Sequence, residues 1–371
     1  MLESTRITIA AAGFAAVAAL FGCAQPGVQS GAESLPRYRV DPLWLKPLQG
    51  NWIFGQVSSV AVDRHDHVWV LHRPNTLLDD EKGALQNPPA NRCCQAAPAV
   101  MEFDGNGNYL QGWGGPGQGQ GYDWPKTEHG IHVDAQDNVW IAGNDPKDNH
   151  ILKFTREGRF LMQIGKPGKS EGSNSKTQLG RPASIESDAA ANEIYVGDGY
   201  GNHRVVVFDM TTGAYKRHWG AYGDVPDDGK VPPYKPGATP SKQFGNPHCA
   251  KRARDGLVYV CDRPNNRVQV FRTDGTFVQE FFIERETLSG PVADLAFSTD
   301  AEQRYLFSAD GANSEIYILS RKDGRKLAAF GRPGRQAGEF RGIHNIAIDS
   351  KGNIYTAEVG YGRRLQRFTP Q

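Results

Sequence analysis

One pattern recurs along this chain and limits what it can become: an apolar strand, a turn built on Asp with Asn or Gly, a second strand ending near Asp, then two more strands. Six copies are present. They open at Ser58-Ser59-Val60-Ala61-Val62-Asp63, His129-Gly130-Ile131-His132-Val133-Asp134, Ala183-Ser184-Ile185-Glu186-Ser187-Asp188, His248-Cys249-Ala250-Lys251-Arg252-Ala253, Ala293-Asp294-Leu295-Ala296-Phe297-Ser298 and His344-Asn345-Ile346-Ala347-Ile348-Asp349. The fifth copy is the least regular. Second strands such as Asn138 to Ala142 and Leu257 to Cys261 follow, then third strands such as Ile151 to Phe154 and Val268 to Phe271. Fourth strands end in an apolar residue before glycine at Trp113-Gly114, Ile164-Gly165, Trp219-Gly220 and Phe330-Gly331. A unit of four short antiparallel strands cannot bury both its faces alone, so the repetition predicts an all-β, six-bladed β-propeller.

The last copy stops at Thr369-Pro370-Gln371, soon after its third strand, which would leave an open sheet edge. Tyr38-Arg39-Val40 and the residues through Leu48 are expected to supply the missing strand, so that the N-terminal strand completes the last blade and closes the ring. The expected organisation is a signal peptide over 1–22, a linker over 23–36 and the propeller over 37–371. Arg6 followed by the apolar run Ile7 to Leu20, short for a bilayer, reads as an export signal. Leu20-Phe21-Gly22-Cys23 resembles a bacterial lipobox, which would make Cys23 a lipid-carrying N-terminus. The chain is therefore expected to be exported, either periplasmic or lipid-anchored to the cell envelope.

Export allows the four remaining cysteines to oxidise. Cys249 and Cys261 flank an Asp255-Gly256 hairpin and can face each other, whereas the adjacent Cys93 and Cys94 form a strained ring or stay as free thiols. With 42 basic against 41 acidic residues the net charge is +1, which offers nothing to nucleic acid or to an anionic membrane surface. The expected partner is a small-molecule or peptide substrate, with membrane contact only through a lipid on Cys23, and the chain is expected to act as a monomer.

Aligning the copies puts His129, His248 and His344 at one repeat position, the start of the innermost strand in the second, fourth and sixth units. Ser58, Ala183 and Ala293 hold that position in the odd units. Alternate blades of a six-fold ring lie about a third of a turn apart, so the three imidazoles should converge on the channel axis. A lone histidine is more often a hydrogen-bonded packing residue; a shared repeat position on alternate blades favours a metal. Three nitrogens with an open fourth position suit zinc in a catalytic site. Arg73, Tyr200 and Arg263 lie just beyond second strands, on loops that return to the same face. Long insertions at 74–98, 166–180 and 221–245 belong to that face too and are expected to form a lid or substrate wall.

The repeats resemble NHL-repeat propellers, and over most of Leu48 to Phe368 the chain resembles the peptidyl-α-hydroxyglycine lyase domain of peptidylglycine amidation. The resemblance is carried by Gly55-Gln56-Val57-Ser58 leading to His72-Arg73, by His129-Gly130 with Asp134, and by Ile194 to Tyr200 with Asn202 and Arg204. Gln243-Phe244 before Pro247-His248, Asp262-Arg263 with Asn266 to Gln269, and the closing repeat continue it. It implies that His129, His248 and His344 hold zinc, that Tyr200 is the catalytic tyrosine and base, and that Arg73 and Arg263 are active-site arginines. A phenol is a poor base at neutral pH unless neighbouring cations favour its ionised form. One arginine is expected to clamp a substrate carboxylate through its planar fork. The resemblance also implies calcium at Val60, Ile131 and Asn345, although Asn345 stands where the family has an aspartate. Glu128 replaces a proline of the family pattern, and Gly342 a methionine.

The function expected from these residues is a zinc-dependent lyase that splits the carbon–nitrogen bond of an N-(α-hydroxyalkyl) amide. Two other classes fit the same ring: a non-catalytic propeller that binds a protein or peptide, and a metal-dependent esterase or lactonase, which needs no tyrosine base.

Overall fold

The computed structural model describes residues 35–115 and 121–371; the expected signal peptide and Cys23 lie outside the described residues. Six four-stranded antiparallel sheets follow one another along the chain. Their innermost strands are Gln56–Val62, Glu128–Val133, Ser184–Asp188, Pro247–Arg252, Val292–Phe297 and Ile343–Ile348, which we call the first strands of blades 1 to 6. In blade 6 the outermost position is taken by Tyr38–Asp41, antiparallel to Leu365–Pro370 with Tyr38 opposite Pro370. The ring is therefore closed across the two ends of the chain, and the open edge expected after the last repeat is covered.

The recurring aspartate earns its place at the first turn of the blade. Asp63 Oδ1 accepts the backbone N–H groups of His65 and His67, while Oδ2 accepts the indole N–H of Trp69 in the second strand at 3.0 Å. Asp134 does the same for Trp140 at 2.9 Å, and Asp349 for the Tyr355 hydroxyl at 2.9 Å. One carboxylate thus folds the hairpin and satisfies a polar atom that the core would otherwise strand.

Apolar residues form six clusters, one between each pair of neighbouring blades. Blades 6 and 1 meet through Tyr355, Ala357 and Leu365 against Val57, Val60 and Met101, with Trp44 of the N-terminal segment packed in. Each sheet is buried on both faces by its neighbours, which is why second strands such as Val139–Gly143 and Val258–Asp262 are wholly buried and almost continuously apolar. A disulfide joins Cys249 to Cys261 across the first hairpin of blade 4, with Cα atoms 4.9 Å apart. Cys93 and Cys94 are also joined.

Candidate metal centre

The pairing of first and second strands slips by one residue at the same place in five blades: at Ser58, His129, His248, Ala293 and His344. In blade 2, Glu128 faces Gly143 and Gly130 faces Ala142, so His129 is left over. A bulge takes one residue out of the ladder and re-aims it. Here the re-aimed side chains of blades 2, 4 and 6 meet. The ring centroids of His129, His248 and His344 form a near-equilateral triangle with sides of 5.1, 4.7 and 4.9 Å, and their ligand atoms all lie within 4.8 Å of one another.

The odd blades orient these rings. His129 Nδ1 donates to the carbonyl of Ala183 at 2.8 Å, His248 Nδ1 to that of Ala293 at 2.6 Å, and His344 Nδ1 to that of Ser58 at 2.8 Å. The acceptors occupy the repeat position of the histidines in blades 3, 5 and 1. A carbonyl only accepts, so each Nδ1 carries the proton, and each neutral ring presents its Nε2 lone pair. Burial, then the neighbouring imidazoles, holds His129 and His248 far below the ordinary histidine range. His344 is pushed down to about 3 by burial and then by Arg263 and Arg73. Three neutral imidazoles with converging lone pairs are a donor set that fits a borderline cation.

Tyr200 completes the cluster, its hydroxyl 3.0 Å from His129 Nε2 and 3.1 Å from His248 Nε2. Its loop is tied down by Asp198, which accepts from Gly180 N at 2.7 Å, Asn202 Nδ2 at 2.7 Å and Arg204 Nε at 2.9 Å. Gly199 is required there, because a Cβ would lie 2.7 Å from the backbone nitrogen of Pro247. The loop bearing Arg263 is built alike: Asp262 accepts from Gly245 N, Asn265 Nδ2 and Arg267 Nε at 2.8, 2.7 and 2.9 Å. Asn202, Arg204 and Arg267, which helped to carry the family resemblance, are thus loop supports. Arg73 donates Nε to the Glu128 carbonyl at 2.8 Å and NH1 to Gln56 at 2.9 Å. Both arginines stand within electrostatic reach of the histidines.

Two neighbours of this site were not singled out from sequence as members of it. The guanidinium of Arg181 lies over the Tyr200 ring, 5.5 Å from its centroid, and donates to Asn144 O at 2.8 Å. Glu128 is wholly buried and accepts the Trp124 indole N–H at 2.8 Å. Burial raises its carboxyl to about 7, against the pull of Trp124 and Arg73. Gly342 has φ +88°, and a Cβ would sit 2.7 Å from the Val359 carbonyl, so the methionine of the family pattern cannot be accommodated with this backbone.

Of the residues expected for calcium, Val60 and Ile131 bring no side-chain ligand and Asn345 brings a neutral amide. Asn345 lies in the channel wall, but its amide oxygen accepts the Val60 N–H at 2.7 Å and its amide nitrogen donates to Asp294. A second group of potential ligands among the described residues, Asp63, His67 and Glu102, is bridged by Arg156, whose guanidinium pairs with Asp63 at 3.2 Å and with Glu102.

An NHL repeat model matches residues 179–208 and 244–271, in blades 3 and 4. Peptidyl-alpha-hydroxyglycine alpha-amidating lyase 1 of Drosophila melanogaster is 24% identical over 351 residues, covering 85% of this chain and 57% of that protein. The chain thus spans little more than half the length of that relative. NHL repeat-containing protein 3 of Mus musculus is 26% identical over 345 residues, covering 90% and 85% of the two chains. A catalytically inactive virginiamycin B lyase from Staphylococcus aureus, solved with quinupristin, superimposes with a TM-score of 0.50 at 14% identity, covering 90% of this chain and 89% of that one. The chain is an NHL-repeat-like six-bladed propeller that resembles the amidating-lyase propellers.

Proposed function

We propose that this chain is a zinc-dependent carbon–nitrogen lyase that cleaves an N-(α-hydroxyalkyl) amide, with a carboxylate beside the reacting carbon, into an amide and an aldehyde. The observation that carries the reading is the Tyr200 hydroxyl, 3.0 and 3.1 Å from two of three imidazole nitrogens whose lone pairs converge. An acid–base group lies against the nitrogens that would hold a metal. Similarity to an amidating lyase over 85% of the chain supports the same reading.

His129, His248 and His344 would hold the metal through Nε2. Zinc there supplies Lewis acidity, making a substrate hydroxyl easier to deprotonate. Tyr200 acts as the base that takes the hydroxyl proton as the carbonyl of the aldehyde forms. The carbon–nitrogen bond breaks, its electron pair stays on nitrogen, and the same proton is returned to that nitrogen, so the products are an amide and an aldehyde with no net proton change. Arg181 and Arg73 place positive charge beside the oxygen that takes the proton. Arg263 offers a planar fork to the substrate carboxylate, which sets the reacting carbon against the tyrosine.

The competing reading is a propeller that binds a protein or peptide on its loop face, and its support is the comparable similarity to NHL repeat-containing protein 3. Metal content and glyoxylate release from an α-hydroxyglycine-terminated peptide separate the two. Stoichiometric zinc with glyoxylate release is expected. Protein without bound metal would leave the binding module, and bound zinc with ester hydrolysis but no glyoxylate would point to a hydrolase.

A further inference from the structure

Just below the histidines, the residues that follow the bulge position form a second ring: Ser59, Gly130, Ser184, Cys249, Asp294 and Asn345. Four of them lend a side-chain oxygen to a backbone N–H of the next blade. Ser59 accepts from Ile131 at 3.2 Å, Ser184 from Ala250 at 3.1 Å, Asp294 from Ile346 at 3.2 Å and Asn345 from Val60 at 2.7 Å. These N–H groups face the channel from innermost strands and have no strand partner on that side, so the ring answers a demand of the fold. Asn345 therefore spends its oxygen on the backbone, and its other end is an N–H donor aimed at Asp294. An amide in this orientation brings a cation no charge, and one of its oxygen's two lone pairs is already engaged.

The negative charge of the layer is balanced from elsewhere. Lys251, three residues after His248, places Nζ 3.5 Å from Asp294 Oδ1, with its side chain 20% exposed and that of Asp294 3% exposed. Glu186 of blade 3 interacts with the same ammonium; Glu186 and Lys251 line a 320 Å³ cavity, and Lys251 also lines, with Asp294, the small space beside the histidines. A carboxylate this deeply buried needs a compensating charge, and the ammonium supplies it together with N–H donors.

We infer that Lys251 replaces the calcium ion expected in this channel: a tethered ammonium, ion-paired with Asp294 and flanked by Glu186, carries the positive charge and makes the fold independent of calcium. The inference does not rest on the proposed lyase activity. It is tested on full-length protein stripped of metal and given back one equivalent of zinc. Calcium chloride is then raised to about 5 mM, above the range in which extracellular calcium modules saturate. The wild-type midpoint of thermal unfolding is expected to stay constant, with no calcium-binding heat; a calcium-dependent rise, or stoichiometric binding, would overturn the inference. Lys251→Met is expected to unfold at lower temperature and to regain part of the loss with calcium, and Asp294→Asn added to it is expected to abolish that response. A Lys251→Met protein as stable as wild type, or one that calcium leaves unmoved, would count against the exchange. Should that variant fail to fold, the wild-type titration still decides.

Discussion

His344 Nδ1 donates to the carbonyl oxygen of Ser58 across 2.8 Å, joining residues 286 apart in the chain. The bond crosses the seam between the last and first blades. It leaves the Nε2 lone pair as the only way the neutral ring can bind a metal, and two identical arrangements, at Ala183 and Ala293, do the same for the other histidines. Ligand orientation at this centre is therefore set by contacts between neighbouring blades, one of them across the seam of the ring.

Removing any one imidazole should release the metal. His129→Ala, His248→Ala and His344→Ala are each expected to lower zinc affinity at least about 100-fold, more than loss of an outer partner of a ligand costs. Competition with a chromophoric chelator reads this directly; a variant that retains wild-type affinity would show that the three nitrogens do not share one ion.

Tyr200→Phe is expected to keep zinc and substrate binding but to lower kcat by about 10²–10⁴, the usual contribution of a positioned acid–base group. Glyoxylate release with the metal content measured on the same sample checks it. Unchanged kcat would remove Tyr200 from the proton transfer.

Acid should destabilise the metal-free chain through its centre. The histidines have folded-state pKa values below their unfolded ones, so in the window below about 6.5, which for His344 reaches down to about 3, the unfolded state binds more protons. Their contribution is complete above that window and is lost as pH falls, by up to about 4 kcal/mol per pH unit for the three together. Denaturant titrations of wild type against the triple alanine variant isolate this slope from that of the other titrating groups. Parallel curves would mean the rings accept protons without cost.

Glu128 has the opposite sign. Its folded-state carboxyl titrates at about 7, above the ordinary 4.5, so it favours the folded state at low pH and loses that contribution as pH rises through 7. Glu128→Gln preserves an acceptor for Trp124 and should be more stable than wild type at pH 8, by on the order of 2–3 kcal/mol, and lose that advantage at pH 5. The difference between the two unfolding midpoints across pH is the measurement.

The disulfide between Cys249 and Cys261 closes a short loop beside His248. Replacing both with Ala should cost about 2–3 kcal/mol, as the cross-link restricts the unfolded chain even when its loop is short. Denaturant midpoints under oxidising conditions test this, and an unchanged midpoint would mean that the hairpin is already ordered before folding.

Repetition made much of the molecule legible in one dimension. The number of blades, their strand order, the use of Tyr38 to Val40 to close the last sheet and the shared position of His129, His248 and His344 all follow from a pattern that each unit states again. The pairing of Cys249 with Cys261 was open in sequence, and the register of their hairpin settled it by setting them opposite each other. Calcium at Asn345 was implied by the family resemblance, and residue type alone does not reveal that the Asn345 oxygen accepts the Val60 N–H, 285 residues away.

What the sequence determined by itself was local and periodic: which stretches become strands, how they stack, and which residues share a place in the stack. Tertiary structure alone decided the chemistry of the centre. The bulges that aim the histidines and the guanidinium of Arg181 over Tyr200 depend on strand and loop register within a blade, and the carbonyls that fix the ring protons and the ammonium of Lys251 beside Asp294 on contacts between different blades. Such partners are brought together by closure of the ring, a geometric condition on the whole chain that no single repeat contains.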